Sequence, residues 1–167
     1  VASDLREFVN TYKIDLGKFE PQAVSALKSY GKNGEIYGIP YTLNYGVLIY
    51  NKDLFNKFGV PYPKDGATYE ELIELGRRLT RQDGGVQYIG FDIGTDRTVA
   101  RSYSLGTVDS QGKAIFESDG YKKVFALMKS LYEIPGMIGE KNKYTYGVDY
   151  LIKDEKLGMF PSWLAAI

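Results

Sequence analysis

Two residue types that carry much of protein chemistry are missing from this sequence. Its 167 residues contain no cysteine and no histidine. This excludes disulfides, zinc thiolates and thiol nucleophiles, and it removes the commonest general base and metal ligand near neutral pH. No apolar run approaches the ~18 residues that a membrane-spanning helix needs, and no charged-then-apolar signal segment opens the chain.

The sequence also lacks net charge. Lys plus Arg and Asp plus Glu number 21 each, so no overall field favours nucleic acid or an anionic membrane surface. The glycine-containing stretches do not form a Gly-x-x-x-x-Gly-Lys-Ser/Thr phosphate loop. We therefore expect no nucleic-acid partner, no metal and no cofactor. What remains is a globular composition, with 44% hydrophobic residues, 15 tyrosines and one tryptophan.

Strand patterns alternate with helix patterns, which predicts an α/β fold. Short apolar runs predict strands at 36–39, 46–50 and 88–93 and within "LGMFPS". The second of these has no polar alternation, which predicts a strand covered on both faces, as in a parallel or mixed sheet.

Capping residues and apolar spacing predict the helices. Thr68 and Glu71 form the pattern of a capping box, and Gly84 and Gly85 are expected to end that helix. The other predictions are a helix near 5–12 capped by Ser3 or Asp4, one from Pro21, one at 54–58 capped by Asp53 and ended by Gly59, one from Thr95 to about Leu105, a strong one capped by Ser118, and a weaker one at 145–155.

The helical and strand periodicities also predict a core. It comprises Val47, Ile49, Leu72, Ile73, Leu79, Phe91, Val124, Phe125, Met128 and Leu131. At the ends of the chain, the opening helix has no strand before it and the sequence stops in the apolar run "WLAAI". We interpret the sequence as a piece of a longer protein, truncated at both ends.

The segment 33–55, "NGEIYGIPYTLNYGVLIYNKDLF", joins two apolar runs through the polar aromatic residues 41–45. A tight hairpin would need an Asn-Gly or Asp-Gly pair there. The pattern favours strands in different cores, with the connector exposed to ligand. The alternative is that Tyr41 and Tyr45 are half-buried surface tyrosines.

Four blocks of the sequence carry a resemblance to a known family. "NGEIYGIP", "GVLIYNKDLFNKFGV", "YPKDGATYEEL" and "IKDEKLGMFPSW" resemble, in order and spacing, the family 1 extracellular solute-binding proteins. These maltose-binding-protein-like proteins are the substrate receptors of bacterial ABC importers, many of them for sugars. Tyr69 stands where the family usually has Trp, and "FPSW" replaces a block like "NGPW", which leaves the ligand's identity open.

The resemblance covers nearly the whole chain and implies a type II periplasmic-binding-protein-like fold, present here mostly as one lobe of two. Residues 1–40 would form the edge of lobe one, and 41–45 the inter-lobe crossover, or hinge. Residues 46–161 would form most of lobe two, and 162–167 the start of a truncated helix.

The function implied by the resemblance is not enzymatic. The protein would bind a mono- or oligosaccharide by hinged closure of two lobes and deliver it to ABC permease subunits. It would be extracellular, held at the cell surface by a lipid anchor outside this chain. The alternatives are a carbohydrate-active enzyme or its binding module, and a purely structural interaction domain.

A sugar needs planar hydrogen-bonding groups for its hydroxyls and an apolar platform for its C–H faces. Trp163 resembles the family's stacking block, with Ser162 at an expected helix start; the alternative is a core Trp. Asn44, with Tyr41 and Tyr45, would line the cleft floor at the crossover; the alternative for Asn44 is a turn residue.

Polar residues also follow the strand at 88–93. Thr95, Asp96 and Arg97 follow it where ligands sit in open α/β sheets. The alternative is that Thr95 simply caps a helix and Arg97 is solvated. Asp92 and Asp96 also admit interpretation as a glycoside-hydrolysing pair. Their spacing does not require it, and capping and solvation are favoured.

Overall fold

The computed structural model describes residues 2–166, and the chain divides into two compact units, 1–45 and 46–167. The first unit contains helix α1 (Arg6–Thr11), a 3₁₀ turn (Leu16–Lys18) and helix α2 (Pro21–Lys28). Pro21 is the first residue of α2, as predicted. Leu5 rather than Ser3 or Asp4 occupies the N-cap position of α1. The Asp4 carboxylate nevertheless accepts a hydrogen bond at 3.1 Å from the N–H of Arg6, the first residue of the helix.

The strand predicted at 36–39 is also absent, since the segment 35–45 has neither helix nor strand. The Ile36 carbonyl accepts a hydrogen bond from the Leu5 N–H at 2.7 Å. The Ile36 N–H donates to the Asp4 carboxylate at 3.2 Å. Leu5 and Asp4, at the start of α1, therefore take the hydrogen bonds of the Ile36 backbone that a neighbouring strand would otherwise form. Ile36 is still buried.

The second unit is built on one mixed sheet in the order β1-β4-β3-β2. Its strands are β1 (Gly46–Tyr50), β2 (Arg81–Asp83), β3 (Val86–Phe91) and β4 (Leu157–Trp163). β1 pairs with β4 and β2 with β3 in antiparallel fashion, whereas β3 and β4 are parallel. The α/β class and the mixed sheet are thus confirmed. β1 lies at the sheet edge and is only half-buried, so the prediction of full cover on both faces is wrong.

The described part of the second unit contains five helices, and three of the four helix caps predicted for it form. They are α3 (Lys52–Phe58), α4 (Tyr69–Leu79), α5 (Asp96–Ser102), α6 (Asp119–Tyr132) and α7 (Gly147–Ile152), with 3₁₀ turns at Glu140–Asn142 and Leu164–Ala166. Thr68 with Glu71, Thr95 and Ser118 cap α4, α5 and α6. Asp53 does not cap α3. Asn51 does, because its side chain accepts from the Asp53 and Leu54 N–H groups at 3.0 and 3.2 Å.

Gly84 and Gly85 do not end α4, which stops at Leu79. They form the two-residue turn between β2 and β3, with φ of 56° and 78°. A hairpin turn with both central residues at positive φ matches the twist of the strands and favours glycine. The predicted end of α3 is confirmed, because Gly59 is the C-cap residue of this helix and has the left-handed conformation.

Six of the ten predicted core residues are buried: Leu72, Ile73, Leu79, Phe91, Val124 and Leu131. Val47, Ile49 and Met128 are half-buried. The prediction that Phe125 is buried is wrong, because its side chain is 46% exposed. The buried face of α6 runs through Tyr121, Val124, Leu127 and Leu131, so the helix is rotated away from Phe125.

Helix α4 approaches the sheet through glycines. A β-carbon placed on Gly90 of β3 would lie 1.9 Å from the Gly76 carbonyl oxygen of α4. One placed on Gly158 of β4 would lie 2.6 Å from the Gly90 carbonyl oxygen. The α4 backbone therefore lies directly against β3 at Gly90, the next-to-last residue of the strand, where any side chain would separate them.

The capping box of α4 permits a stability prediction. The Glu71 N–H donates to the Thr68 hydroxyl at 3.3 Å, and the Thr68 N–H donates to the Glu71 carboxylate at 2.8 Å. Thr68→Ala is expected to lower the free energy of unfolding by about 1 kcal/mol, measured by urea denaturation. Thr107→Ala, at an exposed threonine outside any helix, is the control. An equal change in both variants would contradict the prediction.

Candidate functional site

The carboxyl ends of β3 and β4 meet at one edge of the sheet, because the two strands are parallel. Phe91 pairs with Met159, and the Asp92 N–H donates to the Met159 carbonyl at 3.0 Å. Beyond that point β4 continues beside β1 as far as Trp163, which pairs with Gly46. The structure thus brings the segments 95–97 and 162–163 to the edge where open α/β sheets bind ligands.

A tight turn leads from β3 into α5. The Gly94 N–H donates to Asp92 Oδ1 at 2.8 Å, and Gly94 has φ of 79°. The Thr95 hydroxyl accepts from the Thr98 N–H at 3.3 Å, so Thr95 acts as the predicted helix cap. Asp96 is half-buried and Arg97 is exposed, and neither forms an ion pair with another residue in 2–166.

Asp92 is a buried carboxylate, with 3% of its surface exposed. Its Oδ1 accepts from Gly94, and its Oδ2 accepts from the Tyr146 and Gly147 N–H groups at 2.6 and 2.9 Å. With both oxygens occupied by backbone donors, this group has a structural role rather than that of one half of a hydrolytic pair with Asp96. The link to Tyr146 was not predicted; the "Asp-x-Gly" pattern signals only the local half, the turn at Gly94.

Trp163 lies at the far end of β4, with 54% of its surface exposed. Its Cζ3 atom lies 4.0 Å from the position that a β-carbon would take on Gly46. This exposure rules out a place in the core of the second unit. The ring thus has an apolar surface that is open to solvent at the sheet edge.

The prediction that Ser162 lies at a helix start is wrong. Ser162 is a half-buried residue of β4 and pairs with Val47 of β1. Because this pairing extends the strand through Trp163, the following turn begins only at Leu164 and is of the 3₁₀ type. Residue 167, the last of the predicted helix start, lies outside the described residues.

Tyr41, Asn44 and Tyr45 belong to the first unit and precede Gly46 directly in the chain. All three are exposed, and Tyr41 most of all, at 91%. The half-buried alternative is therefore wrong for both tyrosines. The phenol groups of Tyr41 and Tyr45 can each donate and accept hydrogen bonds.

Tyrosines also surround the start of α7. Burial raises the pKa of Tyr132, as do the nearby charge of Asp92 and Tyr144, and burial likewise raises the pKa of Tyr146. Tyr146 therefore stays neutral and its hydroxyl donates to the Met137 carbonyl at 2.7 Å. Hydrogen bonds therefore hold both the side chain and the backbone N–H of Tyr146, and the backbone bond links this segment to Asp92 beside the turn at Gly94.

The part of the chain that the structure describes holds no cluster of His, Cys, Asp and Glu suited to a metal ion. None of the helices described between residues 2 and 166 has the length and apolar character required to cross a bilayer.

A family model described as bacterial extracellular solute-binding protein matches residues 2–167. The chain belongs to this family. The resemblance carried by the four sequence blocks is thereby confirmed, and with it the α/β fold of this class of binding protein. An arabinooligosaccharide-binding protein of Bacillus subtilis is 28% identical to the chain over 115 residues, which are 67% of this chain and 26% of that protein.

Solved structures of solute-binding proteins share the fold. A sugar transporter from Rhizobium etli, in an open conformation, matches with a TM-score of 0.61 at 26% identity, covering 97% of this chain and 40% of that one. An ABC substrate-binding protein from Listeria monocytogenes in complex with cycloalternan matches with a TM-score of 0.69 at 20% identity, covering 98% and 42%. This chain therefore spans less than half the length of these relatives.

Proposed function

We propose that the full-length protein binds a carbohydrate outside the cell and delivers it to an ABC importer. The observation that carries this proposal is that, in a member of a solute-binding family, an exposed tryptophan and a polar turn lie at the carboxyl ends of two neighbouring parallel strands. Trp163 supplies an apolar ring face, and the turn of Thr95, Asp96 and Arg97 supplies a hydroxyl, a carboxylate and a guanidinium.

These groups match the chemistry of a sugar. Covering the exposed part of the Trp163 ring with C–H groups is favourable by about 25 cal/mol per Å² of apolar area. Asp96 accepts from sugar hydroxyls, Arg97 donates to them, and Thr95 and Ser162 can do either. Arg97 has an additional advantage, since its planar group holds several donors in a fixed arrangement.

The proposal extends to Tyr41, Asn44 and Tyr45 as further ligand contacts. The division of the chain after Tyr45 supports residues 41–45 as a crossover between two lobes that close by a hinge. Closure needs contacts that the ligand makes better in the closed state, and exposed phenol and amide groups are suited to that.

The proposal includes an extracellular protein, held at the cell surface by a lipid anchor outside this chain, that acts with ABC permease subunits and has no catalytic activity. The family description supports the extracellular location. The absence of a hydrolytic pair is supported by the Asp92 carboxylate, since both of its oxygens accept hydrogen bonds from backbone N–H groups.

Isothermal titration calorimetry on the full-length protein tests this function. The panel is arabinotriose, mannobiose, laminaribiose, maltose and mannitol. We expect saturable binding of at least one saccharide and, after long incubation, recovery of that saccharide intact by chromatography. The absence of binding across the panel would contradict carbohydrate binding, and shortened products would favour the enzymatic alternative.

A further inference from the structure

Asp92 is a buried charge without a cationic partner. Its carboxylate is 3% exposed and forms no ion pair with any residue in the described range. Burial of a carboxylate is unfavourable unless hydrogen bonds replace its water. Three backbone N–H groups do so here, and they come from two segments that are far apart in the sequence.

The first oxygen shapes the candidate ligand turn. Oδ1 accepts from the Gly94 N–H at 2.8 Å, and Gly94 adopts φ of 79°. Thr95 then takes the extended conformation of a helix cap, and α5 begins at Asp96. The position of Oδ1 therefore decides the direction in which α5 leaves the sheet and where Asp96 and Arg97 are presented.

The second oxygen holds the start of α7. This helix has no side-chain cap from its own N-cap residue, Tyr146. Oδ2 of Asp92 takes that role, accepting from the Tyr146 and Gly147 N–H groups at 2.6 and 2.9 Å. Unpaired N–H groups at a helix start need an acceptor, and here a strand end elsewhere in the sequence provides it.

We propose that Asp92 is a positioning residue that holds the turn 94–97 and the start of α7 in one joint arrangement. It contacts no ligand itself. Because one carboxylate bonds to both segments, displacing either one weakens the hold on the other. The arrangement also presents Asp96 and Arg97 correctly to a ligand. This consequence for ligand affinity rests on the proposed function.

Asp92→Asn tests the joint arrangement with little change in size. The amide has one acceptor oxygen, and its NH₂ group must face a backbone donor at Gly94 or at α7. Loss of the charge weakens all three hydrogen bonds. Amide hydrogen exchange by NMR should accelerate about tenfold or more at Gly94, Tyr146 and Gly147, while Ile89 and Leu131 keep their protection. Acceleration in only one of the two segments, or in neither, would overturn the proposal.

Thr80→Val is the matched control for loss of a buried polar group. Thr80 is 8% exposed. Its hydroxyl donates to the Gly76 carbonyl at 2.8 Å and accepts from the Gly90 N–H at 2.9 Å. We expect a lower melting temperature but unchanged exchange at Gly94 and Tyr146. Equal acceleration at those amides in the control would show a general loss of stability and would also overturn the proposal.

The ligand readout uses the full-length protein with arabinotriose and mannobiose as probes in calorimetry. Affinity per folded molecule should fall about fivefold or more in Asp92→Asn, the scale of one lost hydrogen bond, and should not change in Thr80→Val. Unchanged affinity in Asp92→Asn would overturn the ligand consequence. If the wild type binds neither probe, this arm counts against the proposed function, and the exchange data still decide the joint arrangement.

Discussion

Replacing Gly90 with alanine is expected to lower the free energy of unfolding of the second unit by more than about 3 kcal/mol. The added β-carbon would lie 1.9 Å from the Gly76 carbonyl oxygen and 2.5 Å from the Gly76 carbonyl carbon and Cα. These are backbone atoms in the middle of α4, so no side chain can rotate away. The helix would have to lift from β3, which exposes the apolar face that contains Leu72, Ile73 and Leu79.

Gly106→Ala is the control for this substitution. Gly106 is exposed, and the nearest atom to its added β-carbon is the Val108 carbonyl oxygen at 3.5 Å. Urea denaturation followed by far-UV circular dichroism should show a large shift, or no folded baseline at all, for Gly90→Ala, and a small shift for Gly106→Ala. A Gly90→Ala protein as stable as the wild type would show that α4 does not lie on β3 as described.

The second large effect concerns Trp163 and is on binding. Trp163→Ala in the full-length protein should weaken the affinity for the bound saccharide by about 1–3 kcal/mol, the scale for losing an aromatic contact. Stability should change little, because the side chain is 54% exposed and exposed substitutions have small effects. Calorimetry and thermal denaturation on the same variant measure the two quantities.

Phe125→Ala provides the matched control. It also removes an exposed aromatic ring, 46% accessible, but from α6 rather than from the end of β4. We expect unchanged affinity in this variant. If Trp163→Ala instead loses about 3–5 kcal/mol of stability, as for a buried Trp, and keeps its affinity, then Trp163 packs in a core of the whole protein and is not a sugar platform.

Features confined to one turn of chain were predictable from the sequence. The capping box of Thr68 and Glu71 and the caps at Thr95 and Ser118 join groups within three residues of each other. Their geometry follows from the residues themselves. The failures of local prediction occurred where a competing partner existed: Asn51 displaced Asp53 as a cap, and the start of α1 took the hydrogen bonds of Ile36.

Contacts between distant segments were not predictable in this way. Nothing local to Asp92 shows that its second oxygen reaches Tyr146, 54 residues further along the chain. The rotation of α6 that buries Leu127 and exposes Phe125 depends on the elements packed against that helix.

The sequence by itself determined the α/β class, the family and the chemistry that the chain lacks, because periodicity, motif order and composition need no third dimension. The tertiary structure decided that the backbone of α4 packs directly against Gly90, which leaves no room for a side chain there. It also decided that Asp92 joins two segments and that Trp163 stands exposed beside Gly46. Each of these depends on distances between residues remote in the chain, which the packing of helices on a sheet sets and local preference does not.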